Sequence, residues 1–259
     1  MRMIAILLFL ATTALASSQD DAAIAAMHAT HVKSAGARVV VWAPPAWPAE
    51  KRAGVTASLD RAVAQAETAL GKKHEAPIEY YISDSDDLPS HVYGGYAHAA
   101  GDPPVVFLSG LDSGEAPHLH ETVHLVGGEF GSLLLREGIA TYVQFVVQPG
   151  KMRPLVKLEA TDLESLDKAA ARILGKPQTR EQALGWLARP AKSVTFTSRP
   201  ERGMFYAVSA SFTAHLVKEL GMSAFMEAYG SENPVAAIER RSGKPWRQWT
   251  DEWLKKIGA

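Results

Sequence analysis

The sequence predicts an α+β fold. Three β-branched or aromatic runs fall within the first 108 residues, and helical apolar spacing takes over after about residue 114. No internal repeat or low-complexity linker interrupts the change.

Residues 17–36 are Ala-rich and polar, and read as a loose lead-in or a short helix. Arg38 to Ala43 (RVVVWA) is a strand stopped by Pro44-Pro45. Residues 52–70 carry Val55, Leu59, Val63, Ala66 and Leu70 at helical spacing, with Gly71 as the stop. Ile78 to Ile82 (IEYYI) is a second strand. Val105 to Leu108 (VVFL) is a third, reached through Asp102-Pro103-Pro104; proline there is expected on an edge strand, since it cannot donate to a ladder. Residues 114–126 and 132–147 are two helices, separated by Gly127-Gly128-Glu129-Phe130-Gly131, where three glycines in five residues let the backbone reverse. Helical patterns follow over about 160–174, 179–188 and 203–220, with a polar loop across 189–202. The last helix, about 245–257, places Trp246, Trp249 and Trp253 on one face, as a packed stripe does.

Composition narrows the function. The 259 residues include 27 Lys+Arg and 28 Asp+Glu, a formal net charge of −1 that gives no electrostatic case for nucleic acid or an anionic membrane surface. Apolar residues at 47% and charged residues at 21% are ordinary for a globular chain. With no Cys, disulfides, thiolate metal sites and a thiol nucleophile are excluded. Any metal must be held by His, Asp or Glu. The opening MRMIAILLFLATTALA has a positive start at Arg2, an apolar run to Leu15 and a small-x-small end at Ala14-Leu15-Ala16. The run is short for ~30 Å of hydrocarbon, so a cleaved export signal over residues 1–16 is expected over a membrane anchor.

The chemistry concentrates in His118-Leu119-His120-Glu121-Thr122-Val123-His124. His120 and His124 are four apart, so both imidazoles share one helical face and can grip one Zn²⁺. Glu121 then points beside the metal, where it can hold a water and take its proton. A catalytic zinc site wants a third protein ligand. Glu137, on the next helix after the Gly-rich reversal, would return towards the two histidines if that helix packs antiparallel. Glu129 is the rival, but it sits in the turn itself, and a helix holds a ligand more firmly. The longer pattern H-E-x-x-H-x-x-G also fits, but its third histidine would have to stand at Phe130, which cannot bind metal.

H-E-x-x-H followed by Glu137-Gly138-Ile139-Ala140-Thr141-Tyr142 resembles the gluzincin peptidases, and more closely the small bacterial members of the peptidase MA-like family. The strand Val105 to Leu108 before the metal helix, the segment Tyr206 to Phe212 (YAVSASF) and the Trp-bearing final helix agree with that resemblance, which covers roughly residues 37–257. It implies a zincin-like fold: a small N-terminal β-sheet with helices, a metal-binding helix pair, and a helical C-terminal lobe. It implies His120, His124 and Glu137 as zinc ligands, Glu121 as general base, and an extended peptide antiparallel to the edge strand near Val105–Leu108. Two departures bear on substrate preference. Thr141 stands where many relatives carry an acid, and a Leu replaces an aromatic residue shortly before the third ligand.

Other polar residues divide between roles. Tyr206 is a candidate donor to a tetrahedral oxyanion; its other reading is a helix Tyr with the ring in the core and the OH at the rim. His118 projects to another face and reads as a boundary residue. Tyr142 reads as core packing, and His215 as a satisfied core histidine. Arg136 either pairs with a carboxylate near the metal or is solvated. Gly94-Gly95 either allows close backbone approach or makes a turn.

The expected protein is therefore an exported zinc metallopeptidase, periplasmic or extracellular. It would hydrolyse peptide bonds with a zinc-activated water and Glu121 as base. Residues 1–16 form the signal peptide. Residues 17–147 form the lobe with the H-E-x-x-H helix and third-ligand helix, and 148–259 a helical lobe of the same catalytic domain. The expected partner is a peptide or protein substrate, without nucleic acid and without a membrane after signal cleavage. Two other readings stand beside it: a catalytically silent zincin-like binding module, and a zinc amidase acting on a cell-wall component.

Overall fold

The computed structural model describes residues 20–83, 88, 95–98 and 104–259. The expected signal at residues 1–16 lies outside them, as do Gly94 and Asp102-Pro103. The N-terminal part runs α1 (20–30), β1 (Val32–Ala35), β2 (Val39–Ala43), α2 (Ala49–Leu70), β3 (Ile78–Ile82), β4 (Gly95–His98) and β5 (Val105–Leu108). These five strands form one mixed sheet in the order β1-β2-β3-β5-β4. β2, β3 and β5 are parallel, as a crossover through α2 requires of β2 and β3. β1 and β4 run antiparallel at the two margins.

This order corrects one expectation. Val105–Leu108 is an inner strand, paired on both sides, and the margin beside it is β4. Pro104 stands just before the strand and joins the pairing only as an acceptor, its carbonyl taking the Glu79 N–H of β3 at 3.0 Å, a place that needs no N–H of its own.

Strand alternation divides the sheet into two apolar faces. Val39, Val41, Ile78, Tyr80, Ile82, Val106 and Leu108 face Leu59 and Val63 of α2. Tyr81, Val105 and Phe107 face Met27 of α1 on the other side. α2 ends where expected, at Gly71 with φ 64° in the left-handed region.

The rest of the chain is helical: α3 (His118–Gly127), α4 (Leu133–Val147), a 3-10 turn (Arg153–Leu158), α5 (Leu163–Leu174), α6 (Pro177–Ala188), α7 (Arg199–Leu220), α8 (Met222–Tyr229), α9 (Pro234–Ser242) and α10 (Trp246–Ile257). The α+β reading holds. β1, β4, α8 and α9 are short elements that the spacing alone does not mark. Trp246, Trp249 and Trp253 are all buried, and each indole N–H is satisfied: by Leu187 O at 2.7 Å, Ser242 Oγ at 3.3 Å and Ser211 Oγ at 2.9 Å. Their core is continuous with Ala62, Ala66 and Leu70 of α2 and with the inner faces of α3 and α4. No helix among the described residues is long and apolar enough to cross a membrane.

Candidate metal centre

α3 is buried from Leu119 to Gly127, which explains its sequence: between its polar groups it carries Leu119, Val123, Leu125 and Val126. Leu119, Val123 and Val126 enter the helical core, while Leu125 enters the sheet core. Polar contacts pin the helix between its neighbours. Thr122 Oγ1 lies 2.6 Å from the Tyr80 hydroxyl on β3. The Gln144 Oε1 of α4 accepts from the His120 N–H at 3.1 Å, satisfying one of the first-turn donors that no helix can satisfy itself. Lys72 Nζ donates to Gly127 O at 2.7 Å at the other end. α4 is capped by Ser132, whose Oγ accepts from the Leu135 N–H at 3.5 Å.

The two helices bring His120, His124 and Glu137 together. Their facing atoms form a near-equilateral triangle. His120 Nε2 is 3.1 Å from His124 Nε2 and 3.1 Å from Glu137 Oε2, and His124 Nε2 is 3.3 Å from the same oxygen. A tetrahedral Zn²⁺ with bonds of ~2.0–2.1 Å spaces its ligand atoms ~3.3 Å apart. The donor set therefore fits such an ion in both chemistry and spacing. Glu129 is exposed and belongs to no such group. His118 stays outside as well, with Nδ1 3.2 Å from Ala116 O.

The three side chains are almost closed to solvent, at 1%, 4% and 5% exposure. Burial pushes His124 down to about 3, so its imidazole is neutral, as a metal ligand must be. Burial alone would raise Glu137, but the two imidazoles outweigh it and hold the carboxyl well below its ordinary range. Thr141 Oγ1 lies 3.3 Å from His120 Nδ1. By contrast, His124 Nδ1 is buried with no hydrogen-bond partner among the described residues.

Glu121 lies beside the triangle, 7% exposed, against β4. Burial raises its carboxyl to about 7 and the Glu137 carboxylate adds to the rise; His120, Arg136 and the Ala97 N–H of β4 oppose it. Gly95 explains how β4 comes so close. A Cβ there would stand 2.7 Å from Glu121 Cγ and Pro117 Cγ, and 2.8 Å from Glu121 Oε1. Gly95 therefore serves close approach, one of the two roles open to it from sequence.

α7 closes the third side. At Gly138 an added Cβ would meet Thr213 Oγ1 at 2.1 Å and Ser209 O at 2.6 Å, so only glycine lets α4 and α7 pack this tightly. The partly exposed Tyr206 ring lies 5.6 Å, centroid to centroid, from the His120 ring. Burial raises its phenol well above the ordinary range and the Glu137 and Glu121 carboxylates add to this, so it keeps its proton. Arg136 Nη1 lies 3.4 Å from Glu137 Oε1, which selects the paired reading of Arg136. Tyr142 packs on the helical core. His215 is buried as expected, against Trp249 at 5.8 Å, but it is not satisfied: neither ring nitrogen has a partner among the described residues. Thr141, Gln144 and Gly95 are contributors that the motif does not reveal, because each matters through a partner on another element.

No known protein family matches the chain by sequence, and no curated protein does. Among solved structures it is similar to the native leukotriene A4 hydrolase of Saccharomyces cerevisiae, with 14% identity and a TM-score of 0.43 over 87% of this chain. A second structure of the native yeast LTA4 hydrolase gives 14% and 0.42 over the same share. This chain spans 36% of the length of each.

Proposed function

We propose that this chain is a zinc-dependent hydrolase of gluzincin type that cleaves peptide bonds, and that residues 1–16 direct its export. The observation that carries the reading is the donor triangle of His120, His124 and Glu137, with an acid beside it in Glu121. Two imidazoles and one carboxylate suit Zn²⁺ and leave a fourth position open. Zinc bound there would act as a Lewis acid and lower the pKa of a water.

The protein's own groups then have definite tasks. Glu121 takes a proton from the attacking water and returns it to the leaving amine. Its near-neutral pKa suits both directions of transfer. Tyr206, protonated and close to His120, donates a hydrogen bond to the oxyanion. The margin strand β4 lies against Glu121, so an extended peptide would lie along it, one strand further out than Val105–Leu108.

The test is metal content of purified protein, together with peptide hydrolysis before and after chelation. One Zn²⁺ per chain and chelator-sensitive cleavage support the reading. Zinc without any peptide cleavage points to a silent binding module, and cleavage of cell-wall amides alone points to an amidase.

A further inference from the structure

Arg136 is placed oddly for a residue beside a cation site. It adjoins Glu137 in sequence, and its positive charge would repel a divalent ion. A favourable role must offset that repulsion. The geometry supplies one, because Glu137 divides its two oxygens. Oε2 faces the imidazole pair at 3.1 and 3.3 Å, and Oε1 faces Arg136 Nη1 at 3.4 Å. The guanidinium is itself held, 4.9 Å over the ring of Phe130. Phe130 lies in the turn that joins α3 to α4. A chain of contacts thus runs from the turn, through the stacked guanidinium, to the outer oxygen of the carboxylate.

We propose that Arg136, braced by Phe130, is a positioning residue for Glu137. It holds Oε1 so that Oε2 alone meets the metal, and the fourth coordination position stays free for chemistry. This deepens the reading of the site as a zinc centre and rests on it. Phe130 thereby gains a role that its inability to bind metal concealed.

The experiment compares the full-length wild type with R136K, R136M and F130L. Zinc affinity is measured by competition with a chromophoric chelator. The visible spectrum of the Co²⁺-substituted protein reports coordination geometry, and thermal melts of the metal-free proteins report folding. Positioning predicts that R136M weakens zinc binding by about 10–100-fold and alters the Co²⁺ spectrum. R136K should fall between R136M and wild type, because it keeps the charge and loses the fork and the stack. F130L should weaken binding severalfold. Simple charge repulsion predicts the opposite sign for R136M, namely tighter binding. R136M affinity equal to or tighter than wild type overturns the proposal. Should R136M melt early, R136K and F130L decide: wild-type affinity in both overturns it. A wild type that binds no zinc overturns the reading of the whole site and this inference with it.

Discussion

Thr141 Oγ1 stands 3.3 Å from His120 Nδ1, on the side of the imidazole away from Glu137. With a metal on Nε2, Nδ1 would carry the proton and donate it to the threonine. Such a contact fixes tautomer and ring orientation together. Thr141→Val removes the acceptor and keeps the shape at a fully buried position. Zinc affinity is expected to fall about 10–100-fold. Thr141→Ser should retain most of it. Equal affinities in Val and wild type, measured by chelator competition, would show that His120 needs no such brace.

Glu121→Gln is expected to keep zinc and the fold while hydrolysis falls by about 10²–10⁴-fold, the usual worth of a positioned general base. The amide matches the carboxylate in size, so the contact with Gly95 and Pro117 survives. Metal analysis and steady-state rates on the same preparation check both halves. A fully active variant would remove Glu121 from the mechanism.

Gly95→Ala probes the other side of that contact. The new methyl would press on Glu121 Cγ and Oε1 and on Pro117 at 2.7–2.8 Å. Either β4 or the Glu121 side chain must move by several tenths of an ångström. Displacement of about 1 Å at a reacting group can cost about 10²-fold, so a fall of roughly 10–100-fold in kcat/KM is expected. Zinc affinity should stay unchanged, because the atoms nearest the added Cβ belong to Glu121 and Pro117 and not to His120, His124 or Glu137.

These residues show which parts of the site can be read from a sequence. His120, Glu121 and His124 are legible because a helix fixes i, i+1 and i+4 locally. Glu137 is legible because a short Gly-rich reversal leaves its helix few directions to pack. Thr141 is not, since its partner is chosen by the packing of α4 against α3. The same limit explains β4. Gly95–His98 lacks a β-branched run, and it follows β3 in sequence yet pairs beyond β5 in space. Strand order is a long-range property, so Val105–Leu108 looks like a margin from its prolines and is an inner strand in the sheet. The Trp stripe of α10 is legible for the opposite reason: three indoles on one helical face must be buried wherever the helix docks.

Gly138→Ala is expected to destabilise the protein by about 1–3 kcal/mol through overpacking. Three atoms face the added Cβ: Thr213 Oγ1 at 2.1 Å, the backbone Ser209 O at 2.6 Å and Thr213 Cβ at 2.9 Å, the last of which alanine at 213 would keep. The second cannot be removed by substitution. Thr213→Ala in the Gly138→Ala background should therefore recover only part of the loss. Full recovery in urea denaturation would assign the whole loss to the Thr213 side chain and none to the Ser209 backbone.

Arg38 and Glu67 give a pH prediction away from the metal centre. The Glu67 carboxylate is buried at the end of α2. It accepts from Arg38 through both terminal nitrogens, from the His74 N–H at 2.8 Å and from Lys73 at 3.1 Å. Burial alone would raise its pKa, but those donors outweigh burial and hold it below the ordinary 4.5. The folded state therefore binds fewer protons than the unfolded state in mild acid. Its contribution is complete above about pH 4.5 and is lost as pH falls through the lower folded value. Arg38→Met should cost about 1.5–3 kcal/mol at pH 7, the worth of hydrogen bonds to a charged group. The gap between variant and wild type should shrink below pH 4.5, as protonation removes in both the charge that Arg38 serves. Urea denaturation at pH 7, 5 and 3.5 measures it. A gap of constant size across that range would assign the loss to packing of the arginine stem instead of the ion pair.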